Sequence, residues 1–332
     1  MKIVIDAFGG DNAPVEIVKG SILALNKHDD IVIVLAGNEQ KISEVIKKEN
    51  FCSDRLKIIN AEDIITAEDV PTVAIRSKTN SSLVVAFDYL KNNKDVAGLI
   101  SAGNTGAILT GAFLKLGRIK NISRPAMAPI LPASTDGKVL LLDCGANMDC
   151  KPENLLHFAI MGSEYMKIEG VKNPRIALLN VGTEETKGNE LTKQTYPLLK
   201  NAQINFVGNI EARDIVSGDF DVVVADGFDG NVALKTIEGT AKFVVKNLKS
   251  ELTSSLRAKI GALLLKKNLK NLKNKMDYAK FGGAPFLGVS KIVIKSHGDS
   301  KAETICICVE QVMNMHNKGI IEKIEKAVCD EK

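Results

Sequence analysis

The chain has 332 residues, 45% hydrophobic and 25% charged, the balance of an ordinary globular protein with one large domain or two smaller ones. A net charge of +4, 5% aromatic residues and no Trp exclude the pervasive basic face and stacking aromatics of a nucleic-acid binder, so no nucleic-acid partner is expected. A core so poor in aromatics has to be built from Ile, Val, Leu and Ala, which suits parallel strands buried on both faces.

The first apolar run, 2–6 (KIVID), ends in Asp6 and enters the turn Ala7-Phe8-Gly9-Gly10-Asp11-Asn12. Val15, Val18, Ile22 and Leu25 then share one helix face; Pro14 suits the first turn and Asp11 or Asn12 the cap. A turn that only reversed the chain would need neither both glycines nor both acids, whereas one that presses its backbone against a ligand would. Further runs follow at 31–36, 56–60, 96–100, 138–143, 175–181, 204–208, 221–225 and 291–295. All are continuously apolar and several are separated by helical patterns, which predicts βαβ units in an open, mainly parallel sheet. Without a Gly/Ser linker or an internal repeat, residues 1–332 read as a single α/β domain, divided if at all by chain crossing.

Small polar loops follow six of these runs, and ligands bind beyond the carboxyl ends of strands in open α/β sheets. They are the opening turn, SAGNTGAILTG (101–111), CGANMDCKPEN (144–154), NVGTEETKGNE (180–190), NIEARD (209–214) and DGFDGNVALK (226–235). None fits a nucleotide fingerprint: Ala112 stands where a Walker lysine would follow Gly111, and GGD is not GxGxxG, which disfavours a dehydrogenase. Gly103, Asn104, Thr105 and Gly106 open an apolar helix, where free N–H groups favour an anion by about 0.3–1 kcal/mol per contact. Each loop taken alone is equally an ordinary turn. Among the charged loop residues, Glu184, Glu185 and Lys187 read as reactive groups or a solvated loop. Glu211, Arg213 and Asp214 read as a site or a local ion pair. Asn231 reads as an orienting group or an N-cap, and His297 as a general acid or a loop histidine.

Six cysteines, at 52, 144, 150, 306, 308 and 329, form no CxxC pair, so no metal site is expected and the pattern suits a reducing cytoplasm. The apolar stretch Ile3–Ile5, broken by Asp6, is too short for a secretory h-region. No run approaches the roughly 18 apolar residues of a spanning helix.

Nine motifs in order, IDAFGGDNAP, SAGNTGA, RPAMAPILP, LLDCGAN, NVGTEETKGN, VGNIEARD, VADGFDGNVALKT, FGGAPFLGV and SHGDS, closely resemble the bacterial phosphate acyltransferases of the PlsX family, from Met1 to about Met315. One departure is Phe8, where the family usually has Met, another large apolar residue. The resemblance implies a three-layer αβα sandwich like that of the phosphate acetyltransferase and isocitrate dehydrogenase group, usually dimeric, with its site in a cleft near the subunit interface. It implies transfer of a fatty acyl group from acyl carrier protein to inorganic phosphate, without metal or organic cofactor. The acyl phosphate would then feed a downstream glycerol-3-phosphate acyltransferase. It also implies a cytoplasmic enzyme in peripheral contact with the inner face of the cell membrane.

Phosphate is already anionic and a thiolate leaves readily, so positioning and oriented N–H donors can carry much of such a reaction. On that reading Asp6, Gly9, Gly10, Asp11, Gly103, Asn104, Thr105, Gly106, Gly182 and Glu184 bind substrate. Lys187, Asn180, Asn209, Asn231, Asp226 and His297 act on or orient the reacting groups. The other readings are a phosphotransacetylase-like enzyme using an acyl-coenzyme A and a non-catalytic small-molecule-binding regulator.

Segment 249–280 holds nine Lys/Arg against Glu251 and Asp277, a local charge of +7. Leu252, Leu256, Ile260, Leu263 and Leu264 share one helical stripe; Leu265, Leu269, Leu272 and Met276 share another, turned away. Two short helices broken near Gly261–Leu265 would each show one seam. The stripes are either buried in a dimer interface or form a projecting amphipathic hairpin. In the latter, Leu263, Leu264, Leu265, Lys266 and Lys267 would meet an anionic bilayer or the acidic carrier protein.

Overall fold

The computed structural model describes residues 1–134, 137–275 and 278–331. The chain first lays down β1 (Lys2–Asp6), α1 (Val15–Lys27), β2 (Val32–Gly37), α2 (Glu39–Lys48), β3 (Leu56–Asn60), α3 (Pro71–Ser77) and α4 (Ser82–Asn92). It continues with β4 (Val96–Ser101), α5 (Thr105–Gly111) and β5 (Ala126–Met127). A second set follows: β6 (Ile130–Pro132), β7 (Lys138–Leu142), α6 (Pro152–Ile168), β8 (Ile176–Asn180), α7 (Glu190–Asn201), β9 (Phe206–Glu211) and β10 (Val222–Val224). Then come α8 (Gly227–Leu252), α9 (Leu256–Leu264) and α10 (Lys266–Lys275), before the chain returns as β11 (Ala284–Leu287), β12 (Ile292–Lys295), α11 (Ala302–Asn317) and α12 (Ile320–Asp330).

All nine apolar runs are strands, but they form two sheets rather than the expected one. Among the described residues the first has seven strands in the order β3-β2-β1-β4-β12-β11-β5, the second five in the order β6-β7-β10-β8-β9. Twisted open sheets rarely exceed about ten strands, so twelve divide more comfortably between two. Pairing is parallel except where β11 meets β12 and β5, and where β6 meets β7. The unexpected strands β5, β6 and β11 are two to four residues long, and β6 and β11 carry prolines. Short sheet-edge and near-edge positions tolerate the missing N–H of proline.

Side-chain alternation explains the three layers. Ile3 and Ile5 of β1 join a core with Val18 and Leu25 of α1 and Ile305 and Val309 of α11, while Val4 packs with Leu83, Val84 and Phe87 of α4. In the second sheet Leu140 and Leu142 face Phe158 of α6, and Leu141 faces Leu234 of α8. Helix α1 begins after Pro14 without a side-chain cap, contrary to the expected cap from Asp11 or Asn12. The Asn12 amide instead donates to the Asp299 carbonyl at 2.9 Å, tying the opening turn to the segment after β12.

Candidate active site

The carboxyl ends of β1, β4 and β12 lie side by side in the first sheet, and the strand order reverses around β1, which opens a crevice there. The two glycines of the opening turn make this convergence possible. A Cβ on Gly9 would lie 2.6 Å from the Gly103 nitrogen and 2.7 Å from Asp6 Oδ2; one on Gly10, whose φ is +93°, would lie 2.8 Å from the Gly298 carbonyl. The Asp11 N–H donates to that carbonyl at 2.7 Å. Asp6 is buried beneath the turn, accepting from Ser101 Oγ at 2.7 Å and from the Phe8 N–H at 3.2 Å. Burial raises its pKa, so it organises the floor of the crevice from below rather than facing a ligand.

These loops enclose a cavity of about 570 Å³ lined by Phe8, Gly10, Asp11, Gly103, Asn104 and Gly298, among others. Asn104 Oδ1 caps α5 by accepting from the Ala107 N–H at 3.1 Å, and its amide donates to the Thr66 and Ala67 carbonyls at 3.1 and 3.3 Å. The Gly103 N–H is engaged by Ser101 Oγ at 3.1 Å. Of the N–H groups expected to meet an anion, those of Gly103 and Asp11 therefore serve the loops themselves. Thr105 and Gly106, in the first turn of α5 where N–H groups lack intrahelical acceptors, line the cavity.

A second cavity of about 500 Å³ opens beside the first, and Thr105 and Lys295 line both. Its walls come from both sheets: Met127 and Leu131, Leu234 and Lys235 of α8, and Ser296 and His297 after β12. Lys295 ends an otherwise apolar strand. Burial, reinforced by the nearby Lys235, pulls its pKa down to about 8, with Asp11 and Asp299 pulling the other way. Nothing in a nucleotide-type motif marks Lys295; the signal available was a lysine closing the run KIVIK directly before SHGDS. His297 Nδ1 sits 2.6 Å from Asp299 Oδ1.

The remaining expected residues belong to the second sheet. Asp226 is the N-cap of α8, accepting from the Asp229 N–H at 2.8 Å. Asn231 therefore is not the cap; it lies against Gly145, 3.5 Å from where a Cβ there would stand. Asp143, fully buried, receives the Met127 N–H at 2.9 Å, the Ala146 N–H at 3.2 Å, and the Asn147 N–H and Nδ2 at 2.6 and 2.9 Å. Burial still pushes its pKa up to about 6. Asn180 holds its own loop through the Lys187 carbonyl at 3.1 Å and lines a cavity of about 360 Å³ with Asp229 and Val232. Asn209 is buried and donates to the Glu184 carbonyl at 3.0 Å. Lys187 and Glu184 are exposed, and Gly182 is partly so. Among the described residues, neither cavity at Lys295 is lined by any member of 180–190. The loops do not converge on one cleft because they rise from two sheets; α8 bridges them, bringing Lys235 to Lys295.

The basic segment is helical, but its arm starts earlier than 249: the last turns of α8, from Lys242, are already exposed. A first break falls at Thr253–Ser255, where Ser255 caps α9, and a second at Leu265, between α9 and α10. Leu263, Leu264 and Leu265 are 69%, 80% and 50% exposed, with Lys266 and Lys267 exposed beside them. Met276, placed in the second stripe by the sequence, lies outside the described residues. No helix among the described residues is long and apolar enough to cross a membrane.

Residues 1–323 match the family model described as fatty acid synthesis protein. A phosphate acyltransferase of Clostridium tetani is 46% identical over 331 residues, covering 99% of this chain and 98% of that protein. A phosphate acyltransferase of Caldanaerobacter subterraneus is 48% identical over 329 residues, covering 99% and 97%. Among solved structures, a phosphotransacetylase from Streptococcus pyogenes superposes with a TM-score of 0.64 at 17% identity, covering 97% of this chain and 94% of that one. A phosphotransacetylase from Staphylococcus aureus gives 0.58 at 14% identity, covering 98% and 94%. These two show a shared fold.

Proposed function

The chain belongs to the PlsX family of phosphate acyltransferases, enzymes that move an acyl group onto inorganic phosphate, and we propose that it takes a fatty acyl group from acyl carrier protein at the cavities flanking Lys295. One observation carries this reading: a crevice lined by polar turns and a more apolar cavity share Thr105 and Lys295 as a common wall. The two halves of an acyl phosphate, charged head and alkyl tail, need such a junction.

Phosphate sits in the crevice, drawn by the Lys295 ammonium group and the first-turn N–H groups of α5. One phosphate oxygen attacks the thioester carbonyl carbon, and the carbonyl π electrons move to its oxygen. As the tetrahedral oxyanion collapses, the carbonyl re-forms and the C–S bond breaks. The carrier leaves as a thiolate and takes a proton, for which His297 is the nearby donor. Donors fixed in advance, rather than strong acid–base groups, stabilise the oxyanion. Asp143 and Asp226 position the 143–147 turn and the start of α8. Asn180, Asn231, Gly182, Glu184 and Lys187 form the second-sheet rim, which we assign to contact with the carrier, and the buried Asn209 holds that rim through the Glu184 carbonyl.

The exposed arm has two further proposed roles. Its tip, Leu263 to Lys267, meets anionic membrane peripherally on the cytoplasmic side: each Leu buried contributes about 1.5–3 kcal/mol and each Lys about 1 kcal/mol. The exposed α8 side chains Phe243, Val244 and Leu248 pair two copies as a homodimer. The acyl phosphate passes to a glycerol-3-phosphate acyltransferase. The decisive assay measures phosphate-dependent release of free carrier from palmitoyl-carrier protein beside acetyl-coenzyme A. Turnover of the first supports the reading; turnover of acetyl-coenzyme A alone points to a phosphotransacetylase; ligand binding without turnover of either overturns it.

A further inference from the structure

The cavity at Lys295 does not end at α8. Leu131 and Glu238 line it, and the same two residues line a further cavity of about 300 Å³. That cavity is walled by Pro132, Ala133, Val216, Ile237, Ala241 and Leu272. Along α8 the lining advances from Leu234 to Ala241, about 10 Å at 1.5 Å per residue. On the facing segment the lining passes from Met127 in the first hollow to Ser134 in the second. The two hollows are successive stretches of one groove between α8 and the β5–β6 segment.

Its chemistry changes along its length. Lys295, Ser296 and Ser300 stand at one end, the Lys235–Glu238 ion pair (3.0 Å) at the waist, and mainly aliphatic side chains, with Ser134 and Lys275 among them, at the other end. Leu272, on α10 of the exposed arm, closes the apolar end.

We propose that this groove holds the acyl chain, its carboxyl carbon at Lys295 and its methyl end toward Ala241 and Leu272, so that α10 acts as the ruler for chain length. The inference rests on the acyltransferase reading above. Its content is the path of the chain and the part the arm plays in it. The occupant follows from continuity: the groove starts at the charged junction where the carbonyl must lie, and it turns apolar as an alkyl chain does. Because α10 belongs to the exposed arm, a filled groove fixes that helix and an empty one leaves Leu272 without its partner.

The test compares palmitoyl- and octanoyl-carrier protein in phosphate-dependent carrier release by the full chain, its Ala241→Phe variant and its Leu272→Asp variant. Each methylene kept from burial weakens binding about fourfold, so the ratio of kcat/KM for palmitoyl over octanoyl should fall at least about tenfold in both. Leu272 is 46% exposed, so Leu272→Asp keeps the fold even if the larger side chain introduced in place of Ala241 were to disturb it. An unchanged ratio in the folded variants, or an equal loss for both chain lengths, overturns the groove. A wild-type chain that releases carrier from neither substrate overturns the functional reading instead, which the same wild-type arm reveals first.

Discussion

Lys295→Met should make the protein more stable and a worse enzyme at once. Holding this lysine at about 8 rather than 10.5 costs the folded chain about 3 kcal/mol at neutral pH. Two terms reduce the recoverable part. The ammonium donates to the Ser296 carbonyl, worth about 1 kcal/mol, and the side chain is only partly buried, so a net gain of about 1–2 kcal/mol is expected. Thermal unfolding should rise by about 1–3 °C at pH 7, because a chain of this length unfolds with an entropy of about 0.7 kcal/mol/K. The sign with pH follows from the folded value lying below the unfolded one. The cost is fully present below pH 8 and fades between about 8 and 10.5, so the stability gap between variant and wild type should close across that window. Activity should move oppositely. Loss of a charge-assisted contact of about 1.5–3 kcal/mol should raise the KM for phosphate about 10- to 100-fold. The wild-type KM should itself climb as pH passes about 8, a climb absent from the variant. Calorimetry and phosphate titrations across pH 6–10 (a window of roughly two units around that value) test both halves. A variant with wild-type phosphate KM at pH 7, or one that melts lower, would refute the assignment.

Asp143→Asn tests the buried carboxylate. Its folded pKa of about 6 lies above 3.8, so the wild type should gain about 1 kcal/mol on acidification from pH 7 to pH 5. The asparagine variant should lack that gain in urea unfolding, because its amide does not titrate. Asn104→Ala removes the α5 cap and the ties to Thr66 and Ala67; about 1 kcal/mol of stability should be lost, with a higher phosphate KM in the same carrier-release assay. Exchanging Leu263 and Leu264 for Glu should reduce co-sedimentation with anionic liposomes at least about 100-fold, since two exposed Leu side chains leave the lipid contact. Unaltered sedimentation would remove the membrane role of the arm.

How far the residues alone lead differs between strands and site. Runs such as 31–36 and 221–225 needed only their unbroken apolar character, because a strand covered on both faces buries every side chain whatever its partners are. The opening turn was legible for a similar reason. Gly9 and Gly10 are required where three backbones meet within a Cβ's reach, and that demand is local. The same locality made the leucines of the arm readable as two helical seams, while burial against a second copy or exposure stayed open alternatives.

Sequence by itself thus determined the strands, the α/β class, the need for both glycines in the opening turn and the two helical seams of the arm, since each depends on side-chain pattern within a few residues. Only the tertiary structure decided that the strands divide between two sheets, and that Lys295 rather than Lys187 faces the crevice at Gly103–Gly106. It alone set a hollow at that lysine beside one reaching Leu272, the two sharing Leu131 and Glu238. Those outcomes depend on which strand edges pair and on how α8 crosses between sheets, and such long-range choices are settled by packing of the whole chain, not by the character of any one segment.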